Sequence, residues 1–251
     1  CNQNPQGGWW RNSMVMLGDD LYNGSLDHYE NIHTRQVELA GNVVHPSIQV
    51  DKIFAWEYDY DEYQNKPQAR DDMLAAVNEG RLVWYYIGHG SFDSLGSEDF
   101  FNGATDMGRF NNANHLPLFM AASCKVSQFD HWGFESLGQK VVMLNNLGAI
   151  ASFSATRLSS PYSNAPMGEK ILDNLANKRN YLGYSIMAAK LASQTDDNDH
   201  VYVLLGDPTL RIIPPQRDSL MSVSTGIARD GKTTLQSRQK VDVQGTLNPY
   251  S

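Results

Sequence analysis

Residues 82–90 read LVWYYIGHG, a run of apolar and aromatic residues that passes through one glycine into a histidine and a second glycine. A second run, LPLFMAAS at 116–123, leads in the same way into Cys124. Apolar on both faces, rich in β-branched and aromatic residues and ended by small ones, both read as buried strands of a mostly parallel sheet. MVMLG (14–18), KIFAW (52–56) and GAIASFSA (148–155) share that character, and VYVLLG (201–206) supplies a last strand.

Between these runs, helical spacing of apolar residues covers 28–40, 67–79, 134–145, 166–177 and 182–193. Gly41 and Gly80 stand where two of these stretches should stop, since glycine takes a left-handed cap cheaply. Alternation of strands and helices predicts an α/β fold, a three-layer α/β/α sandwich around the sheet.

The chain has 251 residues, of which 41% are hydrophobic and 19% charged, the profile of a globular domain able to bury a core unaided. Its formal charge of −8 comes with scattered Lys and Arg, so no basic stripe tracks phosphates, and nucleic acid is excluded as a partner. No apolar run approaches the roughly 20 residues of a membrane-spanning helix. Two cysteines, Cys1 and Cys124, cannot form a disulfide framework.

Three parts are expected. Residues 1–12, rich in Gly, Asn, Gln and Pro, read as a linker from a preceding region, so that the chain is expected to be cut from a longer polypeptide. Residues 13–213 form the α/β unit. From 214 to 251 no helix is legible and LQSRQKVDVQGTL (235–247) alternates, which marks the truncated start of a β-type domain.

His89 and Cys124 both fall at carboxyl ends of expected strands, the edge of an α/β sheet where sites assemble. A thiol needs an imidazole or a comparable base to act as a nucleophile near neutral pH. The glycines beside His89 permit close approach of a substrate, and the backbone N–H groups of Gly90 and Cys124 are candidate donors to an oxyanion. A bland reading stands beside this one, in which Cys124 is a small buried hydrophobe and GHG a frequent tripeptide.

Four blocks in order, YYIGHGS (85–91), LPLFMAASC (116–124, its Cys 35 positions after His89), GAIASFSATRLSSP (148–161) and LLGDPTLRI (204–212), resemble the gingipain-like C25 cysteine peptidases. WRNSMVMLGDD (10–20) and NIHTRQVELAG (31–41) look like that family's opening strand and helix. Together with the 235–247 stretch they bring the likeness nearest to the PorU-type sortase of the type IX secretion system. The resemblance implies a caspase-like fold and covers only the second of the two subdomains of a gingipain catalytic region.

It also implies roles. Cys124 matches the nucleophile, His89 the catalytic histidine, and Gly90 with Cys124 the oxyanion donors. Asp19 or Asp20 matches an acidic residue that orients the imidazole, with an ordinary strand-to-loop turn as the alternative. Leu158 stands where the gingipains carry a specificity tryptophan, Asp27 is the nearest acid to their specificity acid, and 154–161, including Ser160, corresponds to a wall of the substrate cleft. These departures weigh against a preference for Arg or Lys.

The implied activity is that of a thiol endopeptidase or sortase acting on secreted proteins that carry C-terminal sorting domains. A lipopolysaccharide acceptor and other secretion-system components are the further implied partners, at the secreted or outer-membrane surface of a Gram-negative bacterium. A general gingipain-like endopeptidase and a catalytically silent secretion scaffold are the competing readings. No cofactor is required. The clusters Asp196, Asp197, Asp199 and Asp59, Asp61, Glu62 read as solvated loops, and their spacing gives no support for a structural calcium ion. His33 lies in a family-like block and is expected to help shape the site without being catalytic.

Overall fold

The computed structural model describes residues 8–20, 31–193, 198–212 and 214. The strands expected from the apolar runs form a six-stranded sheet in the order β2 (Gln49–Phe54), β1 (Ser13–Gly18), β3 (Val83–Ile87), β6 (Leu118–Ala122), β7 (Ala151–Ala155), β8 (Tyr202–Leu205). All neighbours are parallel except β8, which runs antiparallel to β7 at the edge. A small hairpin, β4 (Ser94–Leu95) with β5 (Phe101–Asn102), lies between β3 and β6 in the chain.

Two cores sandwich this sheet because successive side chains of a strand point to opposite faces. Met14, Met16, Tyr85, Ile87, Met120 and Phe153 pack against α1 (Asn31–Val43), α4 (Pro161–Leu172) and α5 (Leu182–Ala192). Val15, Leu17, Trp84, Tyr86, Phe119 and Ala121 face α2 (Pro67–Glu79) and α3 (Leu137–Met143). Trp84 centres the second core, with ring centroids 4.2 Å from Phe119 and 5.5 Å from Phe101. Each such fully buried large side chain contributes roughly 1.5–3 kcal/mol of burial. Strands buried on both faces explain why the runs at 82–88 and 116–123 are continuously apolar.

The chain leaves β1 for β2 on one side and then crosses to β3 on the other. The direction of winding therefore reverses between β1 and β3, and a crevice opens beyond their carboxyl ends. A short final helix, α6 (Asn198–Val201), precedes β8.

Several expected bounds move. Helix α1 continues past Gly41 to Val43, so Gly41 does not stop it: a Cβ there would stand 3.0 Å from Lys52 Cε, and the glycine lets the last turn approach β2. Gly80 does end α2, with φ +113°. Helix α4 starts at Pro161, five residues before the expected 166, because a proline fits the first helical position, where its missing N–H costs nothing. A single π-type turn, Asp173–Asn177, completes that stretch. Helix α3 begins at Leu137, three residues later than expected, where Gln139 Oε1 accepts from Ser136 N at 2.9 Å. Strand β2 spans Gln49–Phe54 and gives way to a 3-10 turn at Ala55–Glu57. The β-type segment expected after residue 214 and the linker over residues 1–7 lie outside the described residues, while Trp9–Asn12 form a 3-10 turn.

Candidate active site

Strand register brings the two reactive residues together. Ile87 of β3 pairs with Ala122 of β6, and His89 and Cys124 each lie two residues beyond that pair. Gly18 of β1 pairs with Ile87 from the other side, which brings Asp19 and Asp20 to the same edge. Neighbouring strands are about 4.8 Å apart, so three adjacent strand ends bring a thiol and an imidazole to one crevice and set two buried aspartates beside them at the same edge of the sheet.

The backbone of His89 is clamped at both of its polar groups. His89 N donates to Asp19 Oδ2 at 2.6 Å, and Tyr86 Oη donates to His89 O at 2.6 Å. The preceding Gly88 has no alternative, since a Cβ there would stand 2.1 Å from Asp19 Cβ. The imidazole itself is exposed, and it meets the ring of His33 edge-on at a centroid distance of 5.8 Å. Asp19 thus meets His89 through the main chain. Burial, and next the charge of Glu98, push the Asp19 carboxyl well above the usual carboxylate range.

Asp20 is engaged elsewhere: Lys66 Nζ forms a buried ion pair with its Oδ2, which also accepts from Tyr60 Oη at 3.2 Å. Tyr60 stands among Asp59, Asp61 and Glu62, which read from sequence as a solvated loop. Behind both aspartates stands Glu98, buried, its carboxyl raised by burial and by Asp20. Asp19, Asp20 and Glu98 are the side chains that could hold a metal ion among the described residues.

His33 is buried, and that burial lowers its pKa to about 4, leaving a neutral ring near neutral pH. Its Nδ1 lies 3.1 Å from Gln36 Oε1, and Gln36 Nε2 donates to Pro161 O at 2.6 Å, which joins α1 to the start of α4.

Cys124 sits at the head of a turn in which Lys125 takes φ +60°, a left-handed conformation that costs a non-glycine residue about 1–2 kcal/mol. The thiol is half-buried. Ser159 N donates to Sγ at 3.4 Å, and Sγ donates to Ser159 O at 3.7 Å. Asn164 of α4 secures the floor: its Nδ2 donates to Ala122 O at 3.2 Å, and its Oδ1 accepts from Tyr202 Oη at 2.7 Å and Asn198 Nδ2 at 2.8 Å.

His89 and Cys124 line one cavity of about 280 Å³, walled by Ile32 and His33 from α1, by Gly88, and by Ser159, Pro161, Tyr162 and Asn164 around the start of α4. Among the described residues no carboxylate lines it. Gly90 follows His89 into a bridge with Leu95 and leaves no room for a side chain, since a Cβ would stand 2.4 Å from Ser123 Oγ. Leu158 is 72% exposed and does not line the cavity. Ser160 precedes α4, its N donating to Asn198 Oδ1 at 2.8 Å. Asp27 lies outside the described residues.

Sequence reasoning missed Tyr162, Asn164 and Ile32 as cavity residues, and Lys66 and Glu98 behind the aspartates. The only available signal was Pro161 as a helix start, which would have turned Tyr162 and Asn164 toward the strand ends.

With the geometry in place, a family model described as "Peptidase family C25" matches residues 2–213. The chain belongs to peptidase family C25. Solved structures share the fold. The Arg-specific cysteine proteinase gingipain R aligns with a TM-score of 0.60 at 16% identity, covering 80% of this chain and 48% of that one. The complex of Porphyromonas gingivalis RgpB pro- and mature domains gives 0.60 at 18% identity, covering 86% and 52%. A structure described as a protease gives 0.58 at 13%, covering 94% and 54%. The chain spans about half the length of these proteins, and the likeness fixes the gingipain-type, caspase-like fold. No curated protein sequence matches it. Among the described residues no helix is long and apolar enough to cross a membrane.

Proposed function

We propose that the protein is a C25 cysteine endopeptidase working through an acyl-enzyme on Cys124, with His89 as its base and acid. The observation that carries this reading is the register: two residues beyond the paired Ile87 and Ala122, the imidazole and the thiol enter one cavity. His89 takes the thiol proton, the thiolate attacks the scissile carbonyl, and the N–H groups of Gly90 and Cys124 receive the oxyanion. The C–N bond breaks, the leaving amine takes the proton from His89, and a thioester remains. Water or an amine, deprotonated by His89, then attacks the thioester and returns the thiol. Asp19 acts in this scheme as a positioning residue, through the His89 main chain rather than the ring.

A cavity whose described walls are Ile32, Pro161 and Tyr162 with neutral polar groups suits an uncharged side chain before the scissile bond better than Arg or Lys. Leu158, the match to the gingipain specificity tryptophan, points into solvent, and among the described residues no carboxylate lines the cavity to favour a basic side chain.

The finer reading is a sortase of the PorU type. It would remove C-terminal sorting domains from secreted proteins and pass the acyl group to a lipopolysaccharide acceptor at the outer-membrane surface, alongside other secretion components. The opening strand and helix blocks and the 235–247 stretch support it. The test supplies peptides spanning such a sorting junction with and without a soluble amine. A sortase gives an amide product whose formation competes with hydrolysis and vanishes in Cys124→Ala. Hydrolysis alone, indifferent to amine, leaves the general endopeptidase. Absence of any Cys124-bound acyl species by mass spectrometry leaves the scaffold.

A further inference from the structure

Behind the histidine loop three carboxyl groups converge where water does not reach. Asp19, Asp20 and Glu98 are 0%, 5% and 2% exposed, and one ligand atom from each lies within 4.8 Å of the others. Four of their oxygens, Asp19 Oδ1, Asp20 Oδ1 and both of Glu98, are buried without a hydrogen-bond donor. Glu98 is the informative one, a carboxylate 2% exposed and aimed into the cluster, whose oxygens make no hydrogen bond of good geometry and meet only the polarising N–H groups of Ser97 and Glu98 in their own turn. Buried polar groups in folded proteins nearly always find partners, and a buried unpaired carboxylate is among the costliest arrangements a fold can hold.

Charge points the same way. Three carboxylates meet one ammonium, that of Lys66, which is committed to Asp20 Oδ2, donates to Ala55 O at 2.7 Å and lies 4.1 Å from the centroid of the Tyr60 ring. The fully ionised cluster therefore keeps two uncompensated negative charges. Calcium takes oxygen ligands at about 2.3–2.6 Å, so ligands on opposite sides of it stand up to roughly 5 Å apart, and three oxygens within 4.8 Å of one another fit around it. A ring of carboxylates with no nitrogen or sulfur ligand suits a hard cation.

We infer that Asp19, Asp20 and Glu98 form a binding site for one divalent hard cation of calcium size. The ion ties the end of β1 to the turn after β4. Because Asp19 also accepts from His89 N, it stiffens the loop that carries the imidazole. The inference does not depend on the peptidase reading. The competing way to neutralise the cluster is to protonate two of its carboxyls, a state that binds no metal.

The test uses the full chain, stripped with EDTA and dialysed into metal-free buffer, as wild type and as Glu98→Gln. Calcium should restore about one ion per chain by elemental analysis. It should also raise the melting temperature saturably, by roughly 5 °C at a hundredfold excess over Kd. Glu98→Gln should lose both effects while melting in EDTA no lower than wild type, since it removes an unpaired buried charge. If that variant does not fold, Glu98→Asp serves, with calcium affinity expected to fall at least tenfold. No retained calcium and no saturable shift in wild type would overturn the site. So would a shift that survives Glu98→Gln, because the ion would then sit elsewhere, or an unchanged affinity in Glu98→Asp.

Discussion

His33 is a neutral histidine of α1 whose ring meets that of His89, and its proton balance sets a measurable slope. Burial holds its folded pKa at about 4, whereas an unfolded histidine titrates near 6.5. The unfolded chain binds the proton first, so stability conferred by the neutral ring is intact above about pH 6.5 and is lost as pH falls toward 4. Between pH 7 and pH 5 the loss is roughly 2 kcal/mol. Urea midpoints at the two pH values should show it, and His33→Gln should flatten that part of the difference. An equal pH dependence in the variant would show that other groups carry it. Asn164 is the second residue whose loss should be felt. Asn164→Leu removes the partner of Ala122 O, Tyr202 Oη and Asn198 Nδ2 together, and leaving buried groups unmade costs about 1–3 kcal/mol each before relaxation. Chemical denaturation should find at least 2 kcal/mol lost. A change under 0.5 kcal/mol would mean that water replaces the amide at no cost.

Helices α1 and α4 each carry a glycine, and the two should respond oppositely to a methyl group. A Cβ on Gly41 in the last turn of α1 would meet the flexible end of Lys52, which can yield, and Val50 Cγ1 at an ordinary contact distance of 3.9 Å, so Gly41→Ala should stabilise by about 0.5 kcal/mol through helix propensity. Gly168 lies in α4, where a Cβ would stand 2.4 Å from Tyr85 Oη, a ring that is itself fully buried. Gly168→Ala should destabilise by about 1–3 kcal/mol through overpacking. Thermal melts of the pair decide it, and a common sign would contradict the packing of α4 on β3. The elements most legible in the sequence are those whose pattern has one cause. Strands β3 and β6 are buried on both faces and therefore read as unbroken apolar runs that end in His89 and Cys124. Edge strand β2 is less legible: it includes the polar Gln49 and Asp51, so only its apolar second half stands out. The start of α4 hides because Ser159–Ser160–Pro161 is equally good as a loop, and only packing decides.

At the scale of the whole molecule, the reversal of winding between β1 and β3 is what assembles the site, and topology of this kind is partly readable. Alternating strands and helices predict the α/β sandwich. Order and spacing of four motif blocks point to the C25 family, which a family model then matches over residues 2–213. The layer behind the site is not readable in this way. Lys66 and Asp20 are 46 positions apart, and Glu98 comes from a turn beside a two-residue strand, so no periodicity or motif links them before the chain folds. The central claim concerns the pair at the strand ends, and the most direct measurement is the rate of iodoacetamide alkylation at Cys124 against pH. It is followed by peptide mass spectrometry in the native chain and in His89→Ala. An activated thiol reacts fast well below pH 8, where a free cysteine is almost entirely protonated, and loses that reactivity in the variant. Slow alkylation that the variant leaves unchanged would contradict a Cys124–His89 pair and leave the thiol as an ordinary residue at the end of β6.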